Sequence, residues 1–476
     1  MHPTVSVIIP AYNGDAFLAD AVQSVLAQSY TDLELLIVDD CSPSDARKMI
    51  GRFSDPRVRW LFHERNQGAV AARRSGVLAS KGDIIAFLDQ DDLFHVDKLR
   101  MHVEFLERHP EIGVTYNSRF EIDGETGTIR SIWQPTATMT LADLVLGFPF
   151  SPSDTVLRRP LALHDDVWDQ SYVSHDGEMI FNGGEIVLGG RLALAGARFA
   201  GVGRALNYRR YHPRRVFKGL ASRCRAERRC QELILDDPRC SDDVRARRDE
   251  AFMNTYRIWA YYAFAQDETE LGQSFLREAV RLVPSLLEGN PSVLVAFMAD
   301  ICAFDQSVDL EAQLRKIMAQ FPPELYGFAD QLMPALAGAS FARGTQALLF
   351  DRPDEGLSDL RRATTLGASI GNDAIDRLTH QLLGYETEFG EAAAQRAADR
   401  LSAALEAVVG GAGRRLKAHF AINRAFQRYR HGDYAHVPAH VVQAIAYRPQ
   451  LLWNRGVLSI LLRSALRPPG ASAGRP

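Results

Sequence analysis

The sequence predicts an α/β fold with a largely parallel sheet at the N-terminus, followed by an all-α region of helical hairpins. Three observations predict it. Apolar runs of strand length alternate with helical patterns over residues 4–88, and nearly every run stops at polar, turn-forming residues. From about Lys218 the periodicity becomes helical and stays so. At 476 residues the chain is long enough for two or three domains, and its 46% hydrophobic composition is ample for buried cores.

The first strand is the run over residues 4–9, ended by Pro10-Ala11-Tyr12-Asn13-Gly14. Phe17, Leu18, Ala21, Val22, Val25 and Leu26 then recur at helical spacing. A second strand over 33–38 ends in Asp39-Asp40, and a third over Val58–Phe62 leads to Asn66-Gln67-Gly68 and a helix over 69–79. Residues 84–88 form a fourth strand, closed by Asp89-Gln90-Asp91-Asp92. Parallel strands so arranged gather their polar ends along one edge of the sheet, where ligands bind. Three carboxylates this close repel one another, and a hard divalent cation shared with substrate phosphates would compensate them. Asp-rich turns of this kind also serve as helix caps, the role expected for Asp92.

Val5-Ser6-Val7-Ile8-Ile9-Pro10-Ala11-Tyr12-Asn13, Ile37-Val38-Asp39-Asp40-Cys41-Ser42, Asn66-Gln67-Gly68 with Ala72-Arg73, and Leu88-Asp89-Gln90-Asp91-Asp92 together resemble the family 2 glycosyltransferases, inverting enzymes with the Rossmann-like GT-A fold. The resemblance covers roughly the first 215 residues and departs from the family at Arg74, where Asn is usual. It implies that Pro10, Tyr12 and Asn13 line a nucleotide pocket, that Asp40 accepts a hydrogen bond from the base, and that Asn66, Gly68 and Arg73 continue its floor. It implies a DxD motif in which Asp91 binds Mn²⁺ or Mg²⁺ and Asp89 contacts the ribose or the metal shell. An inverting transfer also needs a base. The resemblance places it at Asp176 within Ser174-His175-Asp176-Gly177-Glu178, with Glu178 as the competitor and His175 where the family has Glu. Leu206-Asn207-Tyr208-Arg209-Arg210-Tyr211-His212-Pro213 resembles the segment closing the catalytic domain, from which Arg210 and His212 would reach the diphosphate or the metal.

Residues 204–229 hold nine Arg and one Lys against a single acid, Glu227. Such a run is expected to attract an anionic donor, a diphosphate-linked acceptor or an anionic bilayer. Nucleic acid is not expected, because the whole chain carries a formal charge of -4 and no nucleic-acid motif. The expected domains are 1–217 (catalytic), 218–466 (all-α) and a disordered tail, 467–476. Three stretches of the all-α region superimpose, running from Asp267 to Pro284, Asp351 to Ala368 and Gly432 to Pro449, seventeen residues each time. They read as degenerate tetratricopeptide-type hairpins, with a plain helical bundle as the alternative. The region is expected to dock an acceptor or a protein partner.

The apolar, basic stretch 451–463 is too short to span a bilayer; it packs on the helical region or lies in the membrane interface. The first strand starts within five residues of Met1, so no signal peptide is expected. The five cysteines lack metal-ligand spacing and read as reduced thiols. The chain is therefore expected to be a cytoplasmic, inverting, metal-dependent glycosyltransferase, peripheral at the inner membrane face, using a UDP-sugar and a glycan or lipid-linked acceptor. Two alternatives stand beside it: an idle GT-A domain carried by an interaction scaffold, and a nucleotidyltransferase, whose Gly-rich loop is missing after the first strand.

Overall fold

A computed structural model describes residues 4–13, 17–43, 54–147, 150–168, 184–211, 219–304 and 309–466. They divide into two compact units, Met1–Glu288 with Lys316–Tyr326, and Gly289–Arg315 with Gly327–Pro476.

The first unit is built on a ten-stranded mixed sheet. Its strands are β1 (Val5–Ala11), β2 (Leu33–Asp39), β3 (Val58–Phe62), β4 (Ile84–Phe87), β5 (Leu93–Phe94), β6 (Val114–Asp123), β7 (Ile129–Trp133), β8 (Thr138–Met139), β9 (Thr155–Arg158) and β10 (Phe199–Tyr211). The spatial order is β3-β2-β1-β4-β9-β6-β10-β5, with β7 beside β6 and β8 beside β10. The half β3-β2-β1-β4 is wholly parallel. Beyond it β9 runs antiparallel to both β4 and β6, and β6 pairs in parallel with β10.

The parallel half is covered on both faces, so β1, β2 and β4 are buried along their whole length and read as unbroken apolar runs. Val5, Val7 and Ile9 face one core with α1 (Leu18–Leu26) and α3 (Lys98–Arg108). Ile8, Leu36 and Val38 face the other, with α2 (Ala69–Ala79). Gly76 makes that approach close: a Cβ there would lie 2.4 Å from Ile8 Cγ2. At the far end of the sheet, buried Glu34 accepts from Ser6 Oγ at 2.7 Å, Lys81 N at 2.6 Å and Arg59 Nη1 at 2.6 Å. Burial alone would raise its pKa, and these donors overcome it and hold the carboxyl below the usual glutamate range.

The compact division falls beyond the boundary expected at 217. Helices Leu220–Leu235 and Arg248–Ala265 belong to the first unit, where Gln231 Nε2 donates to Val145 O at 3.0 Å and Asn254 Nδ2 to Leu146 O at 2.8 Å. Each of the three superimposable stretches is helix, tight turn, helix: Arg248–Ala265 and Thr269–Leu282 in the first unit, Leu332–Leu349 and Pro353–Thr365, and Ala412–Arg430 and Val437–Tyr447, in the second. The aligned residues Asp267, Asp351 and Gly432 all take a left-handed backbone, with φ of 65°, 62° and 78°. After each, the next N–H closes back on a carbonyl five residues earlier: Glu268 on Ala263, Arg352 on Ala347, Asp433 on Arg428. This is the Schellman closure of a helix C-terminus. The tail 467–476 lies outside the described residues.

Replacing Glu34 by Ala strands three donors and is expected to lower stability by about 1–3 kcal/mol in urea denaturation at neutral pH. Because the folded-state pKa is lowered, this contribution is present at neutral pH and lost as acid protonates Glu34. The difference between parent and variant should therefore shrink below the ordinary glutamate range.

Candidate active site

The chain builds β1, β2 and β3 outward in one direction, then returns to the other side of β1 for β4. That reversal leaves a crevice at the carboxyl ends of β1 and β4, the place where open α/β sheets bind ligands. Pro10-Ala11-Tyr12-Asn13 leaves β1 on one side and Leu88-Asp89-Gln90-Asp91 leaves β4 on the other. Gln90 ties them together as a strand would, accepting from Tyr12 N at 2.8 Å and donating from Nε2 to Tyr12 O at 3.0 Å. Asn13 takes a left-handed backbone with φ 50°, a conformation Asn tolerates, and its N–H donates to Ser42 Oγ at 3.0 Å. Tyr12 is left 45% exposed at the rim.

Asp40, at the end of β2, is buried and fully engaged with its neighbours. Its Oδ1 takes Gln67 N at 2.9 Å and lies 2.7 Å from His63 Nδ1, and its Oδ2 accepts from Gly68 N at 2.6 Å. His63 Nε2 reaches Ser75 Oγ on α2 at 2.9 Å, so the carboxylate fixes both the Asn66-Gln67-Gly68 loop and the start of α2. Gly68 sits there with φ 87°, which a side chain would strain. Asn66 Oδ1 is buried with no hydrogen-bond partner among the described residues, a costly state that an incoming donor group would relieve.

Arg73, buried on α2, reaches across the crevice and places Nη2 2.6 Å from Asp89 Oδ1. Ser153 secures the acidic turn from below. Its hydroxyl accepts from Asp89 N at 3.0 Å and donates to Asp92 Oδ2 at 2.7 Å. Asp92 is not the cap of a following helix, as expected from the sequence. The next residues form β5, which pairs with Asn207 and Tyr208 of β10, and the carboxylate is buried against that junction, accepting from Arg210 N at 3.3 Å. Burial, then the charges of Asp89 and Asp91, push its pKa well up, while Ser153 and Arg209 oppose the shift. Behind it runs a buried ion network: Arg119 meets Glu121 at 2.7 Å and Asp154 at 2.6 Å, and Arg209 meets Glu121 at 2.9 Å.

The crevice thus brings together Pro10, Tyr12, Asn13, Asp40, Asn66, Gly68, Arg73, Asp89 and Asp91. It does not gather Arg210 with them through its side chain. The segment expected to fold over the site is strand as far as Tyr211, and the Arg210 guanidinium pairs with Asp20 at 2.7 Å over the Phe17 ring. Asp176, Glu178, His175 and His212 lie outside the described residues. Among those described, no three His, Cys, Asp or Glu side chains form a metal cage. The half-buried Asp91 beside Asp89 is the donor set of a hard cation completed by substrate oxygens, which needs only one or two carboxylates. Sequence reasoning missed His63, Gln90 and Ser153. Only the position of His63, one residue past an apolar strand, offered a signal.

Residues 6–161 match the family model described as glycosyl transferase family 2. Residues 6–161 are thus similar to a family 2 glycosyltransferase domain. Over 125 residues, 26% of the chain, it is 39% identical to TuaG of Bacillus subtilis, provisionally named a teichuronic acid biosynthesis glycosyltransferase. Over 102 residues, 21% of the chain, it is 38% identical to WfgD of Escherichia coli, named UDP-Glc:alpha-D-GlcNAc-diphosphoundecaprenol beta-1,3-glucosyltransferase. These matches span 50% and 40% of the two relatives' own lengths. The crystal structure of S. aureus TarS 1-349 is similar over 72% of this chain and 92% of its own, with 16% identity and a TM-score of 0.44.

Within this region, Ser153→Ala removes the hydroxyl that joins Asp89 N to Asp92. Leaving Asp92 buried with one donor fewer is expected to cost about 1–3 kcal/mol, read in urea denaturation. An unchanged midpoint would mean that Ser153 does not support the acidic turn.

Proposed function

We propose that the protein is an inverting, divalent-metal-dependent glycosyltransferase that moves a sugar from a UDP-sugar to a hydroxyl of a glycan or lipid-linked acceptor, in bacterial surface polysaccharide or glycoconjugate synthesis. One observation carries the reading: at the crevice between β1 and β4, the loop shaped by Asp40 and the acidic turn clamped by Arg73 converge on one edge of the sheet. The names of TuaG and WfgD support the polysaccharide setting and, for WfgD, a UDP-linked donor.

In this reading Pro10, Tyr12 and Asn13 line the uracil and ribose side, the Tyr12 ring giving the base a face to stack on. Asp40 shapes the base site through the Gln67 and Gly68 amides it holds, and Asn66 accepts from the donor nucleotide. Arg73 orients Asp89 toward the ribose. Held by Asp91 with Asp89 beside it, Mg²⁺ or Mn²⁺ would neutralise charge developing on the departing nucleoside diphosphate. Asp176, with Glu178 as runner-up, takes the proton from the acceptor hydroxyl as it attacks the anomeric carbon. Arg210 and His212 remain candidates for the diphosphate and the metal, and the helices after 217 for docking of the acceptor or a protein partner.

Two measurements test it. A panel of nucleotide sugars, with and without Mn²⁺, should reveal a donor that stabilises the protein by about 2–3 kcal/mol at a hundredfold excess over Kd. Asp91→Ala should abolish the metal-dependent part, and its persistence would remove Asp91 from the metal site. Asp176→Asn should keep donor binding yet reduce transfer by at least about a hundredfold; retained transfer moves the base to Glu178 or elsewhere.

A further inference from the structure

The last described helix, Arg455–Ala465, has two apolar sides where a helix packed at a surface needs one. Val457 and Ile460 are buried in a cluster with Ala421, Ala425, Val441 and Ala444 of the second unit. The other side is half-buried at Leu458 and Ser459 and open beyond them. Arg455, Leu458, Ser459, Leu462, Arg463 and Leu466 follow the spacing i, i+3, i+4, i+7, i+8, i+11, which is one continuous helical stripe. Leu462 is 60% exposed and Leu466 83%, and Trp453, just ahead of the helix, is 87% exposed. A tryptophan and two leucines left to water are costly features.

Their chemical surroundings indicate what covers them. Residues 434–476 contain five arginines (448, 455, 463, 467 and 475) and no lysine, aspartate or glutamate, a formal charge of +5 in a chain whose total is -4. Two of those arginines lie within the leucine stripe itself. Leucines flanked by arginines, with an exposed tryptophan at one end, match the headgroup region of an anionic bilayer, where apolar side chains sink and guanidinium groups stay among phosphates. No helix among the described residues is long and apolar enough to cross a membrane, so such a contact lies in the surface plane.

We propose that the stripe Arg455, Leu458, Leu462, Arg463 and Leu466, with Trp453, docks on an anionic phospholipid surface. The inference stands independently of the transferase reading, because it uses only the second unit. Flotation of the purified full chain with phosphatidylglycerol-containing vesicles, against vesicles of phosphatidylcholine alone, tests it. Binding is expected to the former only, and to weaken as salt is raised from about 0.05 to about 0.5 M. Leu462→Glu combined with Leu466→Glu should abolish it, and Arg455→Glu combined with Arg463→Glu should lower the partition coefficient at least about tenfold. These positions are exposed, so both variants should keep the parent's circular dichroism and unfolding midpoint. Absence of binding to anionic vesicles, or binding that survives both double variants, overturns the proposal. So does a concentration-dependent dimer that the leucine variants abolish, without vesicle binding, since the face would then be a contact between two copies of this chain.

Discussion

Three carboxylates at the end of one strand repel one another, and the neighbouring elements are arranged around that repulsion. Arg73 comes from α2 to meet Asp89, Ser153 comes from beneath to join Asp89 N to Asp92, and the β10 backbone closes on the other Asp92 oxygen. Asp91 stands between these anchored residues at the mouth of the crevice. The turn is therefore held in one shape, the condition under which a cation and a diphosphate bind with little rearrangement. Burial first, and then the charges of Asp89 and Asp91, raise the pKa of Asp92.

Asp40 plays a matching part on the opposite wall. A buried carboxylate needs several donors, and this one finds them in two backbone amides of the next loop and in His63. Satisfying Asp40 thus shapes the loop that carries Asn66 and Gly68 and orients α2, from which Arg73 reaches the acidic turn. The two walls share that helix: Asp40 holds Gly68 at its start, and Arg73 along it meets Asp89.

Much of this architecture was legible in the chain. β1 to β4 and α2 fall within two residues of their expected limits, because strands buried on both faces are written as unbroken apolar runs and amphipathic helices as 3.6-residue periods. The hairpin turns at Asp267, Asp351 and Gly432 were legible for a similar reason: a local closure leaves a local pattern. What failed was non-local. Asp92 read as a cap because a turn followed by an apolar run commonly opens a helix, whereas pairing of β5 with the distant β10 made that run a strand and buried the carboxylate. Arg210 read as part of a loop, whereas pairing of β10 with the distant β6 makes the segment strand as far as Tyr211.

By itself the sequence determined the order of elements, the family that the first domain resembles, and which residue types stand at the crevice. Each of these follows from short-range periodicity or from contiguous motifs. Tertiary structure alone decided how those residues are held. Asp40 faces the Gln67 and Gly68 amides, Gln90 imitates a strand for Tyr12, and Ser153 underpins the acidic turn. Such contacts join segments far apart in the chain, and a hydrogen bond across them exists only once the sheet has set its strand order and register.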